Sequence, residues 1–141
     1  MKELINKLLK AEIVRYGIVG ATSTILDYVF LNLSHSLMDD KDSLLWLATA
    51  IGFCAGLING YYFNSRWTFA YNTKGQEGKK FSQFAVVSLV GLVLTEIIML
   101  NFANGGGFNK NLAKAIAVVI VFFWNYFGNK IWTFKEQKNN N

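Results

Sequence analysis

The sequence predicts an all-α polytopic membrane protein, with four transmembrane helices arranged as two related two-helix repeats. Its composition is unusual for a soluble domain, since 52% of the residues are hydrophobic and only 16% are charged. Soluble domains carry roughly 25% charged residues. Four apolar runs, each close to the length that crosses a bilayer, are separated by polar connections. We therefore treat residues 1–141 as a single membrane domain.

An internal repeat is clearest at the ends of the second and fourth apolar runs. A shift of 65 residues superposes these ends. The matched residues are Tyr61 with Tyr126, Asn64 with Asn129, and 67–69 with 132–134. Such self-similarity indicates that one structural unit occurs twice in the chain, with repeat 1 at about 13–69 and repeat 2 at about 81–134.

The first and third apolar runs match more weakly. A shift of 68 aligns residues 15–20 with 83–88, whereas a shift of 69 aligns Asp27 directly with Glu96. Both shifts stay open at this level, and both leave the two acids at similar depth.

The first repeat begins with a basic amphipathic segment, residues 1–15. It either lies in the headgroup region as an interfacial helix or forms a basic flank to the first span. The first span, residues 16–33, is interrupted by Asp27 and is followed by an acidic connection at 34–43. Its small residues predict close helix contact. These are Gly17, Gly20, Ala21 and Ser23.

The second span, residues 44–63, contains no charged residue. Gly52 and Gly56 are four residues apart and predict a helix-packing face. The span leads into Asn64 and Arg66, which begin a basic connection at 64–83.

The second repeat contains the third and fourth spans. The third, residues 84–102, carries Glu96 and is followed by a glycine-rich segment at 104–107 that predicts a flexible turn. The fourth, residues 112–127, has Lys114 near its start, where a long side chain can reach the interface. Residues 135–141 form a polar tail.

The distribution of basic residues predicts the orientation. Of the 14 lysines and arginines, all but Lys41, Lys110 and Lys114 lie in the amino-terminal flank, the middle connection or the carboxyl-terminal end. The positive-inside rule places these three regions in the cytoplasm. The two repeats then share one orientation, as in a parallel repeat, and the protein is expected in the cytoplasmic membrane.

Several of these motifs resemble the GtrA-like family of small four-span membrane proteins. The similar features are the run RYGIVG at 15–20, Asp27 in the first span, Asn59 in the second span, and the ending NSRWTF at 64–69. The resemblance covers roughly residues 13–135. The second copy departs from the pattern, with Lys130 and Ile131 in place of Ser65 and Arg66.

The resemblance implies a role in building cell-surface polysaccharide or glycosylated teichoic acid. It further implies that the protein translocates a monosaccharide linked to a polyprenyl phosphate. Alternatively, it anchors or regulates the membrane glycosyltransferase that makes or uses this lipid. The expected partners are that lipid-linked sugar, membrane lipids, a glycosyltransferase and a second copy of the chain in a homo-oligomer.

The residues that we predict to bind the lipid-linked sugar are cations and amides near the predicted cytoplasmic side. An arginine fork matches phosphate oxygens, and asparagine can donate to and accept from sugar hydroxyls. The predicted substrate-binding residues are Arg15, Asn59, Asn64, Arg66, Asn125, Asn129 and Lys130. Each has a structural alternative, because cations also enforce topology and asparagines also cap or join helices. The aromatic residues 61, 67, 126 and 132 are typical of an interfacial belt.

Asp27 and Glu96 are predicted intramembrane acids. A carboxylate in the membrane costs several kcal/mol, so it faces a partner, water or the protein interior. The functional interpretation is a proton-linked or sugar-binding carboxylate. The structural interpretation is an acid paired with a lysine, an asparagine or a backbone group of a neighbouring segment, or a protonated Asp27 bonded to Ser23 or Thr24.

Other functions are less well supported by the sequence. A small multidrug-type cation exporter also uses few spans and a membrane acid, but the basic residues at the phosphate side would repel a cation. We expect no enzymatic activity, because no nucleophile–base pair, metal-ligand spacing or phosphate-binding loop is present. We accordingly predict no cofactor, no metal and no nucleic-acid partner.

Overall fold

The computed structural model describes residues 1–105, 107 and 109–135. All regular structure in this part of the chain is helical. The polar tail from residue 136 and Gly106 of the predicted glycine-rich turn lie outside the described residues.

The chain forms two compact units, one covering Met1–Asn72 and the other beginning at Thr73. Each unit is a hairpin of two packed helices. The helices are α1 (Lys2–Leu37), α2 (Leu45–Phe63), α3 (Glu77–Met99) and α4 (Lys110–Gly128). The predicted spans two and four match α2 and α4 closely, whereas α3 begins earlier than predicted because the polar residues before Phe84 continue the helix.

Three helical segments of the described chain are long and apolar enough to cross a membrane. They are Asp42–Thr68, Glu77–Phe102 and Lys110–Thr133. The protein is therefore a polytopic membrane protein. The first helix is not among these segments, since its apolar run is broken by polar residues such as Thr22 and Asp27. A fourth span and the cytoplasmic orientation of the termini stay predictions.

Helix α1 runs without interruption from Lys2 to Leu37. Its 36 residues span about 54 Å at 1.5 Å per residue, well beyond the roughly 30 Å of a hydrocarbon core. The basic segment at 1–15 thus continues the first span as one helix. This favours a basic flank over a separate interfacial helix, which would require a break near Arg15.

Helices α2, α3 and α4 each continue into a π-helical turn, a rare and wider form of helix. These turns are Asn64–Thr68, Leu100–Gly105 and Asn129–Thr133. The prediction of a flexible turn beginning at Asn104 was therefore wrong for its first two residues, whose backbone is helical.

The π-helical turns after α2 and α4 are closed by the same buried side-chain bond. The hydroxyl of Thr68 donates to Asn64 Oδ1 over 2.7 Å, and the hydroxyl of Thr133 donates to Asn129 Oδ1 over 2.8 Å. All four side chains are buried. Because a buried polar group requires a partner, each asparagine and threonine of the repeat satisfies the other.

The glycines of α2 form the contact between α1 and α2, as the sequence predicted. A Cβ atom on Gly52 would lie 2.5 Å from the carbonyl oxygen of Asp27, and one on Gly56 would lie 2.9 Å from that of Ser23. Gly20 was predicted to join such a contact, but a Cβ atom there would meet nothing within 4 Å. It lies on the exposed side of α1, so that prediction was wrong for the hairpin.

In the second hairpin the glycines of the contact lie at different positions. A Cβ atom on Gly91 of α3 would lie 2.8 Å from Asn125 Oδ1, and one on Gly128 would lie 2.9 Å from Val87 Cγ1. In the second hairpin, both α3 and α4 contribute a glycine to the helix contact. In the first hairpin, both glycines of the contact belong to α2.

Equivalent aromatic pairs join a residue within the first helix of each hairpin to the residue that follows the π-helical turn after the second helix. Ring centroids are 6.0 Å apart between Tyr16 and Phe69, and 6.2 Å apart between Phe84 and Phe134. Tyr16 and Phe84 differ by 68 positions, so the first helices of the two hairpins align at a shift of 68. The second helices align at a shift of 65, since Phe69 and Phe134 differ by 65 positions. Asp27 therefore corresponds to Thr95, and Glu96 is one residue out of register.

Candidate functional site

An open groove on the first hairpin, with a volume of about 680 Å³, combines apolar walls with polar groups. We call it the first groove. Its lining residues are Ile18, Val19, Thr22, Asn59, Tyr62, Phe63, Arg66 and Trp67. The groove forms where α1 passes the end of α2, so two of the predicted binding residues, Asn59 and Arg66, meet there.

Arg66 provides the positive charge of the first groove. Its guanidinium carbon lies 4.0 Å from the centre of the Tyr62 ring, and its Nη1 donates weakly to the Tyr62 carbonyl oxygen at 3.5 Å. Tyr62 lies one turn before Arg66 on the helix, so its ring packs against the guanidinium. No carboxylate of the described chain forms an ion pair with Arg66, and its remaining donors are available for an anion.

Asn59 provides the amide of the first groove and joins α2 to α1. Its Nδ2 donates to Ser23 Oγ at 2.9 Å and to Thr22 Oγ1 at 3.3 Å. These bonds orient the amide and leave its Oδ1 without a hydrogen-bond donor among the described residues. The carbonyl oxygen can therefore accept a bond from a hydroxyl group in the groove.

Arg15 lies outside the first groove but stabilises its rim. Its Nη1 donates to the carbonyl oxygen of Trp67 at 3.3 Å, and its guanidinium carbon lies 5.8 Å from the Trp67 ring centre. A cation at a helix end complements the exposed carbonyls there. Arg15 therefore holds the end of α2 against α1 and orients Trp67.

Asp27 lies further along the contact between α1 and α2. A Cβ atom on Gly52 would lie 2.5 Å from its Oδ1, so the carboxyl group faces the glycine face of α2. The alternative bond to Ser23 or Thr24 is not formed in the described residues; Ser23 Oγ accepts from Asn59, and Thr24 donates to the Gly20 carbonyl. No hydrogen bond or ion pair within the described residues engages this acid.

The remaining predicted asparagines are inside the hairpins. Asn64 and Asn129 are buried in their bonds to threonine. Asn125 Oδ1 lies against Gly91, is buried and has no hydrogen-bond partner in the described part of the chain. Their geometry makes them part of the helix contacts, and ligand binding by any of them stays a prediction that requires the hairpin to open.

Lys130 and Glu96 lie apart from each other in the second hairpin. The ammonium of Lys130 donates to the Tyr126 hydroxyl at 3.2 Å, close to the same ring. Glu96 is exposed on α3. Neither lines the groove of this hairpin, which is described next, and both assignments stay predictions.

The second hairpin has a groove at the corresponding place, with a volume of about 510 Å³. We call it the second groove. Its lining residues are Leu94, Ile120, Phe123, Trp124, Phe127, Gly128, Ile131 and Trp132. In the shift of 65, Ile131 takes the position of Arg66 and Trp124 that of Asn59. No charged side chain among the described residues lines this groove.

The structure adds residues that the sequence interpretation did not assign to a site. Tyr62 supports Arg66, and Thr22 bonds to Asn59. The first could have been found from sequence, because an aromatic residue four positions before an arginine lies on the same helix face. The second depends on the pairing of two helices and has no local signal.

Comparison with known proteins agrees with this architecture. The model of the family described as GtrA/DPMS, transmembrane domain, matches residues 15–134. The chain is also 27% identical over 127 residues to the uncharacterized membrane protein YngA of Bacillus subtilis (strain 168), covering 89% of this chain and 81% of the relative. Since the family match covers nearly all of both hairpins, the chain belongs to the GtrA/DPMS transmembrane-domain family.

Proposed function

We propose that this protein translocates a polyprenyl-phosphate-linked monosaccharide across the cytoplasmic membrane, for glycosylation of a cell-surface polysaccharide or teichoic acid. The first groove is the observation that carries the proposal. It places a cation, an amide and a hydroxyl group beside apolar walls, and a lipid-linked sugar has a phosphate, hydroxyl groups and an apolar chain. Its volume of about 680 Å³ is in the usual range for ligand sites.

The polar groups of the first hairpin form a series along α1 that begins at the groove. Arg15 contacts Trp67 at the end of α2, Ser23 bonds to Asn59 further back, and Asp27 faces Gly52 beyond that. An ion moved through hydrocarbon without partners is very costly. A series of cation, amide and carboxyl along one helix contact supplies successive partners for a phosphate and a sugar during passage.

The groove charge argues against a cation exporter. Arg66 lines the first groove, whereas Asp27 faces the neighbouring glycine helix and is not part of the lining. A lipophilic cation would meet like charge at the groove, so resistance to such compounds upon overexpression would contradict this part of the proposal.

The proposal is tested with purified protein in vesicles that contain a labelled polyprenyl-phosphate-linked sugar. The movement of label between leaflets is measured with a membrane-impermeant reagent. We expect acceleration over empty vesicles, which is strongly reduced in Arg66→Ala and Asp27→Asn. The matched controls Lys79→Ala and Glu3→Gln remove the same charges at exposed sites and should retain the activity. Wild-type protein that does not accelerate movement would overturn the proposal.

The alternative, a partner that anchors a glycosyltransferase, makes an opposite prediction. It expects stable co-purification with the enzyme and normal glycosylation in cells carrying Asp27→Asn. Translocation predicts that this conservative variant reduces glycosylation even where the protein is present at normal level. Immunoblots and glycan analysis of the same cells distinguish the two functions.

A further inference from the structure

We infer that the two hairpins have unequal roles, and that the phosphate of the lipid carrier is bound in the first groove alone through Arg66. The identity of the lipid rests on the proposed function. The inequality rests on a comparison of the two grooves, which occupy corresponding positions and differ in their chemistry.

Each polar contribution of α2 to the first groove is absent at the corresponding place in the second. Arg66 corresponds to Ile131, Asn59 to Trp124, and Tyr62 to Phe127. The replacements keep an apolar wall but remove the cation, the amide and the phenol. An ionised phosphate in the second groove would lose its water without meeting a cation or an amide in the lining, so binding there is less favourable than in the first groove.

Lys130 does not restore the missing charge to the second groove. In each hairpin a cation lies four residues after a tyrosine, but the pair is Tyr62 and Arg66 in the first and Tyr126 and Lys130 in the second. Under the shift of 65, Lys130 falls at the position of Ser65, one residue before that of Arg66. One residue is roughly a quarter of a turn around these π-helical segments, so Lys130 leaves the groove face and bonds to the Tyr126 hydroxyl instead.

The contacts at the rims of the two grooves also differ, since the first hairpin has a cation where the second has a neutral residue. Arg15 holds Trp67 in the first hairpin. Its counterpart under the shift of 68 is Gln83, whose Oε1 is buried with no hydrogen-bond partner in the described part of the chain. The first hairpin therefore keeps both a phosphate cation and a second cation near the rim, whereas the corresponding positions of the second are neutral.

The inference is tested by equilibrium binding of farnesyl phosphate to the full-length protein in neutral detergent micelles, with farnesol as the phosphate-free control. Exchanging a residue for its counterpart gives the variants Arg66→Ile and Ile131→Arg. We expect Arg66→Ile to weaken farnesyl phosphate binding about tenfold or more, as is usual for loss of a charge-assisted bond. Farnesol binding should be unchanged. Lys130→Gln should change farnesyl phosphate binding less than about twofold.

A second arm tests whether the missing cation alone accounts for the difference. Combining Ile131→Arg with Arg66→Ile should restore part of the affinity for farnesyl phosphate. Arg66→Gln, which keeps a polar side chain, serves as the second variant if Arg66→Ile does not fold, and thermal unfolding checks each protein. Competition by phosphatidylglycerol should require a large excess over farnesyl phosphate.

Three results would overturn the inference. They are equal losses for Arg66→Ile and Lys130→Gln, an equal loss for farnesyl phosphate and farnesol, and equal displacement by phosphatidylglycerol, which would indicate a general anionic-lipid site. Binding is measured without vesicles, so the outcome is independent of transport. Arg66-dependent binding without translocation would overturn the proposed function and keep the inference, and translocation that needs Lys130 as much as Arg66 would do the reverse.

Discussion

The two hairpins share the π-helical turn and the aromatic pair that hold their helices together, but they differ in the residues that can bind a ligand. Both end in a π-helical turn with a buried asparagine–threonine bond, and both pack the residue after that turn against an aromatic residue of the first helix. Within the part of the chain that the structure describes, only the first has an arginine and an amide in its groove. Features present in both hairpins are those that a hairpin needs in order to fold. Features present in one are free to serve binding.

The helix contacts differ in which helices supply the glycines: α2 alone in the first hairpin, and both α3 and α4 in the second. In the first hairpin α2 supplies glycines, and α1 can carry Ser23 and Asp27. In the second hairpin α3 supplies Gly91, and α4 carries Asn125. The glycines of α2 thus create the space in which Asp27 lies, whereas the counterpart Thr95 bonds to its own helix at the Gly91 carbonyl.

The largest expected effect concerns these glycines. Gly52→Val should lower the free energy of unfolding by about 3 kcal/mol, since the new side chain would meet the backbone of α1, which cannot move locally. Gly91→Val should cost about 1–2 kcal/mol, because it meets the ends of side chains that can shift. Unfolding in mixed detergent micelles measures both. Gly20→Val is the matched control, and a cost equal to that of Gly52→Val would refute the described contact.

An intermediate effect is expected at the two π-helical turns. Thr68→Val and Thr133→Val preserve shape but remove the hydroxyl group that donates to a buried asparagine, which should cost about 1–3 kcal/mol in each hairpin. The two losses should be similar, because the bond is common to both turns. Thr49→Val is the control, since its exposed hydroxyl bonds only within α2. Losses as small as that of the control would mean that the shared bond does not stabilise the turn.

The smallest expected effect is at the rim of the first groove. Arg15→Gln introduces the residue found at the corresponding place in the second hairpin. It should lower the free energy of unfolding by no more than about 1 kcal/mol, because an exposed cation over an aromatic ring contributes little. Farnesyl phosphate affinity should fall less than in Arg66→Ile. A larger fall would make Arg15 the main phosphate ligand and reverse their assigned roles.

Much of the fold could be predicted because it depends on local patterns. The uncharged run at 44–63 corresponds to α2, and the spacing of Gly52 and Gly56 identified its packing face. Gly20 and Ala21 show the limit of such patterns, because small residues occur on both faces of α1. Which face meets α2 depends on the partner, so composition alone did not exclude them.

The candidate site was only partly predictable for the same reason. Arg66 and Asn59 could be selected by residue type, and both line the first groove. Asn64 and Asn129 have the same residue type but are buried in bonds to threonines four residues later, and residue type alone did not show that these side chains face the interior of the hairpins.

The sequence by itself determined that this is a helical membrane protein with two related halves, since hydropathy and internal repeats depend only on the order of the residues. Only the tertiary structure decided which half carries a charged groove. Under the shift of 65, Lys130 falls one residue before the position of Arg66. Because successive residues point in different directions around a helix, the two cations lie on different faces. One cation lines a groove beside α1, and the other bonds to the tyrosine one turn before it.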